Sequence, residues 1–576
     1  PHCSGKTTLI PLHIASLLLT KSNSAKFIIV IEHQTSSILN IKTVYRSICK
    51  NIEIDNDIEE EKGEKTKDKD EEEDQQYDED DDYCLVTSSL NHIISLANEK
   101  PYYPVISILS PLDALRLVHS VPDLSNFVSK SVFVFDDIHM RTVETDVLAQ
   151  DVVDAINKSK SKKKEIRSIF MSTIEDKSFL RFIGHHKDLE IKDEHEENII
   201  KKEIICNSEN RNAGFTLKSQ ALKSKLLSEM KNLFKSWTEE KTEVEIGSVV
   251  AFLPSEKVGQ RLYNELFKYY SKDNATYICP LEITMRPTEK VDDFYTRIIG
   301  QMMIAQKDRP EDVKTLFLLP FNASGILSQE EKDFIKSPVP LSLINKLCRV
   351  FITTVKNESL LEIKDLKAIF DSGLAEVEYF DTLRSLTKVK EELLPLPIMD
   401  VHCKMLGKYG KGIYYKFNIA GIERPDSVQP DVKISDLSRQ ILILRRFGVK
   451  LEKQHNLPNE PNHEIVTSCI SLLQKIGLID ETEEKELTEL GKEAAKYAFV
   501  SPFFALATAK FTENQQFAFL CSLLIENSRK LILNPQSKIL LKHFNRESDV
   551  VTLLEAICEI SEGIPAEDEN IGLSIG

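Results

Sequence analysis

Residues 131–146 read SVFVFDDIHMRTVETD, and this stretch decides the fold. Residues 132–135 are apolar and either β-branched or aromatic, which is typical of a buried parallel strand. The strand ends in two carboxylates, Asp136 and Asp137, and His139 follows two positions later. In open α/β sheets ligands bind at the carboxyl ends of the strands, and paired acids there suit a hydrated Mg²⁺ and a water that attacks a phosphate. The alternative is a plain acidic strand-to-helix turn, because Asp is common at helix caps.

The start of the chain favours the phosphate interpretation. Residues 1–8 read PHCSGKTT, and Gly5, Lys6 and Thr7 form the second half of a phosphate-binding loop, GxxxxGK[ST]. In such a loop the backbone N–H groups cradle the phosphates, the lysine reaches the β- and γ-phosphates, and the threonine ligates Mg²⁺. The first glycine of the loop would precede Pro1, so we expect the sequence to be a fragment that starts inside the loop. A GKT triplet followed by a strand ending in two Asp is a strong signal, since phosphoryl transfer needs both parts.

Length and composition predict a soluble protein of several domains. The chain has 576 residues, of which 41% are hydrophobic, enough for several cores. Most of the net charge of −17 comes from residues 53–83, which we predict to be an acidic disordered insertion in a surface loop. The ten cysteines include no C-x-x-C pair, which favours reduced thiols over disulfides or zinc. No apolar run reaches transmembrane length, so we expect an intracellular protein of the nucleus or cytoplasm with no membrane partner.

Strands and helices alternate around the opening stretch. The helix after Asp137 is predicted to carry Arg141, Thr142 and Asp146. A charged linker at about 185–203 then separates this unit from a second α/β unit. The other predicted strands of the first unit lie at 26–31, 104–109 and 167–173, and those of the second at 247–253, 314–321, 348–354 and 366–371.

Two such units in one chain suggest an NTP held between paired domains. Beyond Pro425 the pattern becomes helical. Residues 463–499 contain an apolar helix, a Gly-Leu-Ile-Asp segment and a short polar turn before Leu487 and Thr488, as in a small winged-helix module.

Taken in this order, the motifs resemble those of the DEAH-box RNA helicases. The similar positions are Gly5-Lys6-Thr7-Thr8 in the first motif, Asp136-Asp137-Ile138-His139 with Arg141-Thr142 and Asp146 in the DEAH box and its continuation, Met171-Ser172-Thr173 in the M-S-A-T segment, Thr354 and Glu358 in ATNIAETSLTI, residues 370–373 in VDSGF, and residues 401–408 in QRAGRAGR.

The resemblance implies a fold of two RecA-like P-loop α/β domains in tandem, followed by a winged-helix module and an α-helical ratchet domain. These domains are expected at residues 1–184 with the insertion 53–83, at 204–424, at 425–496 and, truncated, at 497–576. The family also implies ATP and Mg²⁺ as cofactors, with single-stranded RNA or a ribonucleoprotein, and an activator protein, as partners.

The resemblance also assigns roles to individual residues. Asp137 would be the catalytic base, with His139 and Lys408 also catalytic, and Ser172 and Thr173 would couple the nucleotide to the domain interface. The nucleotide would be bound by Ser4, Gly5, Lys6, Thr7, Thr8 and Asp371, the metal by Thr7 and Asp136, and RNA by Ser110, Arg116 and Thr354.

Three departures from the family pattern leave two hypotheses open. Asp137 replaces a glutamate that is one methylene longer, and Met405 and Lys408 stand where the last motif has two arginines; a displaced base or a lost arginine fork slows phosphoryl transfer. The first hypothesis is an ATP-dependent RNA helicase that moves along single-stranded RNA. The second is a catalytically weakened pseudo-helicase that acts as an ATP- and RNA-binding scaffold. A generic P-loop NTPase, such as a DNA translocase, would explain only the front half of the chain.

Overall fold

In the computed structural model, the described residues are 10–15, 27–33, 85–87, 93, 105–158, 167–172, 174, 176–184, 196–206, 215–239, 244–245, 247–272, 276–280, 291–306, 314–320, 329–338, 347–355, 363–454, 456–531 and 542–561. Some predicted features lie outside these ranges: Ser4, Gly5, Lys6, Thr7, Thr8, Thr173, Glu358 and the acidic insertion 53–83.

Within the described residues, five parallel strands form the first sheet, in the order β2-β3-β1-β4-β5. The predicted strand at 132–135 is confirmed as β4, and every residue of β1, β3 and β4 is buried, as expected for strands covered on both faces. We call this sheet and its helices the first unit. Its elements are β1 (Phe27–Ile31), β2 (Leu85–Thr87), β3 (Val105–Leu109), α1 (Pro111–Ser120), α2 (Leu124–Ser129), β4 (Ser131–Phe135), α3 (Val143–Lys158), β5 (Ser168–Phe170) and α4 (Lys177–Ile183).

The helix after the acidic turn begins later than predicted. A 3-10 turn covers Ile138–Met140, and the backbone of Arg141 is left-handed, with φ of 50°. Helix α3 starts after Thr142, whose Oγ1 accepts the N–H of Thr145 at 3.3 Å. The prediction that Arg141 and Thr142 lie on this helix is therefore wrong, because a left-handed residue interrupts the right-handed helical path.

Seven parallel strands of the described residues form the second sheet. In spatial order they are β6 (Ile199–Cys206), β14 (Gly412–Ile419), β11 (Leu366–Asp371), β7 (Ser248–Leu253), β10 (Leu347–Thr354), β9 (Lys314–Pro320) and β8 (Thr276–Pro280). The strands predicted in this unit are confirmed as β7, β9, β10 and β11. A two-stranded antiparallel hairpin, β12-β13, follows β11. The elements of this second unit are β6 (Ile199–Cys206), α5 (Phe215–Thr238), β7 (Ser248–Leu253), α6 (Glu256–Tyr270), β8 (Thr276–Pro280), α7 (Val291–Gln306), β9 (Lys314–Pro320), α8 (Gln329–Lys336), β10 (Leu347–Thr354), β11 (Leu366–Asp371), β12 (Leu374–Asp381), β13 (Leu386–Leu393), α9 (Leu396–Lys404) and β14 (Gly412–Ile419).

The edge strand β6 corrects the predicted linker. It begins at Ile199, ahead of the expected domain boundary at 204, and pairs with β14 from Gly412 to Ile419. Its central residues Lys201, Lys202 and Glu203 are exposed. The charges that suggested a linker therefore belong to an edge strand, where charged side chains discourage pairing with another chain.

The described residues between 431 and 561 form a helical part that shares a core with the first unit. Leu115 and Val147 of the first unit belong to one buried hydrophobic cluster with Leu442 and Ile470 of the helical part. An isolated antiparallel bridge joins Ile479 to Leu487. The helices are α10 (Asp431–Ile434), α11 (Ser438–Arg446), α12 (His463–Lys475), α13 (Glu489–Ala494), α14 (Pro502–Lys510), α15 (Gln515–Leu531) and α16 (Asp549–Ser561).

The state of the cysteines and the character of the helices can be stated for the described residues. Their cysteines are all free thiols. None of the helices in these ranges combines the length and the apolar character needed to cross a membrane.

Gly491 in α13 provides a test of the packing in the helical part. A Cβ at this position would lie 1.9 Å from the carbonyl oxygen of Leu478, so we expect Gly491→Ala to lower the free energy of unfolding by about 2 kcal/mol or more. Gly300→Ala in α7 is the matched control, because no atom lies within 4 Å of its added Cβ. That control should stabilise the protein by about 0.5–1 kcal/mol, since alanine favours a helix over glycine. Unfolding midpoints of the two variants and the wild type measure both effects, and a Gly491→Ala midpoint at or above that of the wild type would contradict the packing.

Candidate functional site

The two carboxylates after β4 lie at the carboxyl edge of the first sheet in different environments. Asp136 is only 2% exposed, and its N–H donates to the carbonyl of Ile31 at 3.0 Å, which continues the sheet. Its Oδ1 accepts the N–H of Asp137 at 2.9 Å. The backbone of Asp137 is left-handed, with φ of 44°, and 36% of its side chain is exposed. The turn therefore keeps one carboxylate inside the edge of the sheet and directs the other towards solvent.

The turn after β5 brings further predicted residues to the same place. His139 Nδ1 lies 3.9 Å from Asp137 Oδ1 and 3.5 Å from Ser172 Oγ. The N–H of Ile138 donates to the carbonyl of Met171 at 3.1 Å, which ties the two turns together. The structure thus brings Asp136, Asp137, His139 and Ser172 into one cluster.

His33 is a member of this neighbourhood that sequence reasoning left without a role. It follows β1, the strand that lies beside β4 in the sheet. Burial, and then the nearby His139, lower the pKa of His33 to about 4, so its imidazole is neutral near pH 7. The available signal was its position directly after a parallel strand, at the edge where ligands bind.

Arg141 closes the turn and is 1% exposed. Its Nε and Nη2 donate to the two carboxylate oxygens of Asp146 at 2.9 and 3.0 Å. Its Nη1 donates to Asp176, which caps the N-terminus of α4. Its Nη2 also donates to Asn459 Oδ1 of the helical part at 2.6 Å. One buried guanidinium therefore connects the acidic turn with α3, α4 and the helical part.

Asp371, predicted to bind nucleotide, is fully buried in the second unit. Its Oδ1 accepts the N–H of Gly373 at 2.8 Å, and its Oδ2 accepts the hydroxyl of Tyr414 at 2.7 Å and lies 2.6 Å from His402 Nδ1. Burial alone would raise the pKa of this carboxyl, but His402, Tyr414 and the Gly373 N–H outweigh it and hold the pKa below its usual range. Asp371 thus joins β11, α9 and β14 in the interior of the second unit, and nucleotide binding by this residue stays a prediction.

The two positions that the resemblance assigns to arginines differ in their surroundings. Met405 is buried in a hydrophobic cluster with Leu406 and Tyr414. Lys408 is exposed, and its Nζ lies 5.4 Å from the ring centroid of Tyr409. Only Lys408 could therefore reach a ligand without rearrangement of the core.

The residues predicted to bind RNA lie on elements other than the acidic turn. Thr354 ends β10, opposite Leu253 of β7. Ser110 caps α1 by accepting the N–H of Asp113 at 3.1 Å. Arg116 of the same helix contacts Asp113 at 3.2 Å and lies 4.6 Å from the ring centroid of Phe499. Arg116 thus takes part in the contact between α1 and the helical part, and RNA binding by these residues stays a prediction.

Comparison with known proteins identifies the fold. No protein-family model matches the chain, and no curated protein matches its sequence. Among solved structures, the Escherichia coli DExH-box NTPase HrpB is 14% identical, with a TM-score of 0.57 over 97% of this chain and 55% of that chain. A structure of the Escherichia coli DEAH/RHA helicase HrpB is 15% identical, with a TM-score of 0.58 over 98% of this chain and 58% of the other. The chain spans less than two thirds of these structures and has the DEAH-box helicase-like fold that its motifs predict.

A partly buried carboxyl group of the helical part, with a raised pKa, lies next to Arg141. Asp431, the first residue of α10, donates its N–H to the carbonyl of Arg141 at 3.2 Å. Burial, and then the charge of Glu144, raise the pKa of Asp431 to about 6. The folded state disfavours ionised Asp431, so the protonated carboxyl contributes to stability. This contribution is fully present below the ordinary pKa of about 3.9 and is lost as the pH rises through about 6.

Asp431→Asn should therefore stabilise the protein at high pH only. We expect a gain of about 1–2 kcal/mol at pH 8, where wild-type Asp431 is ionised in the folded and the unfolded state, and less than about 0.5 kcal/mol at pH 4, where its carboxyl is protonated in the folded state and only partly ionised in the unfolded state. Thermal unfolding at both pH values measures this, with Asp426→Asn, the same change at an exposed position, as the control. An equal shift at pH 4 and pH 8 would show that ionisation of Asp431 is not the cause.

Proposed function

We propose that this chain carries the motor of an ATP-dependent RNA helicase or ribonucleoprotein-remodelling factor. The observation that carries the proposal is the pair of carboxylates after β4: Asp136 is held inside the edge of a parallel sheet, and Asp137 is open to solvent on a left-handed turn. His139 and Ser172 lie beside them. The fold shared with the two HrpB structures supports a nucleotide-dependent motor.

The donor set at this edge fits a magnesium ion and the phosphates that accompany it. Two carboxylates and a hydroxyl are the hard oxygen ligands that Mg²⁺ prefers, without the thiolates that favour zinc or copper. Asp136 would hold the metal through water, together with Thr7, and Lys6 and its neighbours in the loop would hold ATP. The bound nucleotide and metal supply the phosphoryl group and neutralise its developing charge.

Three side chains near the acidic turn would carry out proton transfer, orientation and coupling. Asp137 would accept a proton from the attacking water, because its carboxylate is the one that faces solvent. His139 would orient Asp137 across the 3.9 Å between their side chains. Ser172 would link this turn to the turn after β5, so that a change at the phosphates moves both.

Features outside the acidic turn support the domain assignment that is part of this proposal. We assign residues 425–496 to a winged helix because α12 precedes the antiparallel bridge between Ile479 and Leu487, and residues from 497 onward to a ratchet domain. The second RecA-like domain then begins with β6, at Ile199. Single-stranded RNA would contact Ser110, Arg116 and Thr354, and an activator protein could supply what the last motif lacks. Such a protein would work in the nucleus or cytoplasm.

A second candidate function is that of a catalytically weakened scaffold that binds ATP and RNA. The specific observation is that Met405 lies in the hydrophobic core of the second unit, so the position cannot supply the cation of the family pattern. Lys408 keeps a charge but not the planar fork of an arginine. Under this hypothesis nucleotide binding persists and turnover is lost.

RNA-stimulated ATP hydrolysis separates the two candidates. We expect Asp137→Asn to lower kcat by about 10²-fold or more, because it removes the proposed general base. Lys408→Arg should raise kcat by about 10-fold or more, since an arginine in this role contributes strongly to phosphoryl transfer. Asp426→Asn, an exposed position away from the acidic turn, is the control for the loss of a charge.

The scaffold hypothesis predicts a different result in the same assay. Wild-type turnover equal to that of Asp137→Asn, together with saturable binding of a fluorescent ATP analogue, would favour the scaffold over the enzyme. Met405→Arg is not an informative gain-of-function variant, because it would place a charge in an apolar cluster.

A further inference from the structure

The turn that presents Asp137 and His139 is held in an unusual conformation at both ends. Asp137 and Arg141 have left-handed backbones, with φ of 44° and 50°. Residues other than glycine seldom adopt this conformation, and it persists only where the surroundings hold it. The contacts of Arg141 therefore decide whether the turn keeps its shape.

The side chain of Arg141 is held on several sides. Asp146 accepts two hydrogen bonds from it, and Asp176 accepts a third. Ser178 Oγ contacts Arg141 and one of its partners: it lies 3.4 Å from Arg141 Nη1 and donates to Asn459 Oδ1 at 3.1 Å. A planar guanidinium with so many bonds has a fixed orientation, and it fixes the residue from which it projects.

Two of these contacts come from the helical part. Asn459 Oδ1 accepts from Arg141 Nη2 at 2.6 Å, and the N–H of Asp431 donates to the Arg141 carbonyl at 3.2 Å. Both residues belong to the segment 425–496, which we assign to the winged helix. That segment therefore contacts the side chain and the backbone of the residue that closes the turn.

We propose that Arg141 is a positioning residue through which the segment 425–496 controls the orientation of Asp137. A displacement of this segment by bound single-stranded RNA changes the contacts of Asn459 and Asp431 with Arg141, and hence the left-handed turn. For its catalytic consequence this inference rests on the proposed ATPase function. For its structural consequence it rests only on the contacts described above.

Hydrogen–deuterium exchange tests the structural consequence without any need for hydrolysis. Asn459→Ala removes the acceptor of Arg141, so the amides of residues 136–146 should exchange at least about 5-fold faster than in the wild type. Asn456→Ala is the matched control: it is the same substitution three positions earlier, at an exposed residue of the same segment. Equal exchange of residues 136–146 in wild type and Asn459→Ala, or the same increase in both variants, would overturn the proposal.

Kinetics test the catalytic consequence. Arg141→Lys and Asn459→Ala should each lower the RNA-stimulated kcat by about 5–10-fold, with KM for ATP changed less than about 2-fold, since the residues act on the turn and not on the nucleotide. The double variant should be no slower than Arg141→Lys, because both act through one contact. Arg349→Lys, which also replaces a buried arginine bound to a carboxylate, controls for a general loss of stability. Additive effects, or a rise in KM alone, would contradict positioning.

The two experiments keep this inference separate from the proposed function. A wild-type protein that does not hydrolyse ATP refutes the enzyme, while the exchange measurement still decides on Arg141. An active enzyme whose turn is insensitive to Asn459→Ala refutes only the role of Arg141. If Arg141→Lys fails to fold, Asn459→Ala alone gives the answer.

Discussion

The buried ion pair between Arg141 and Asp146 is the interaction on which the acidic turn depends. Both side chains are withdrawn from water, so each charge needs the other, and a buried charge left alone is strongly destabilising. The pair satisfies two donors of the guanidinium, and Asp176 and Asn459 take others. As a result, one side chain fixes the end of the turn relative to α3, α4 and the helical part.

Adjacent residues of identical chemistry acquire different environments in this arrangement. Asp136 completes the hydrogen bonding of the sheet and is buried, whereas the left-handed backbone of Asp137 turns its carboxylate outward. A metal ligand held through water and a proton acceptor require this kind of difference.

In the second unit, by contrast, polar residues from the motif-like segments are buried in the interior. Asp371, His402 and Tyr414 form an internal group, and the His402 ring stacks on Phe252 with centroids 3.9 Å apart. Met405 extends the hydrophobic core nearby. These contacts stabilise the carboxyl edge of the second sheet. Lys408, the residue of this unit predicted to be catalytic, is exposed in the turn that leads into the first residue of β14. The balance between the enzyme and the scaffold therefore rests on the second unit more than on the first.

The strands and the order of the two α/β units could be predicted from the amino-acid sequence. Short apolar runs rich in β-branched and aromatic residues, such as 132–135 and 249–253, are typical of covered parallel strands, and motif order then predicted the helicase-like fold. The same reasoning failed at β6, because an edge strand carries the charges of a linker, and at Arg141, because no local pattern signals a left-handed non-glycine residue. Only the tertiary structure decided that Asp371 and Met405 point inward, that His33 lies beside His139, and that Arg141 binds Asn459 far along the chain. Burial and long-range hydrogen bonds arise when distant segments pack together, so a motif can name a residue but cannot say which neighbours will surround it.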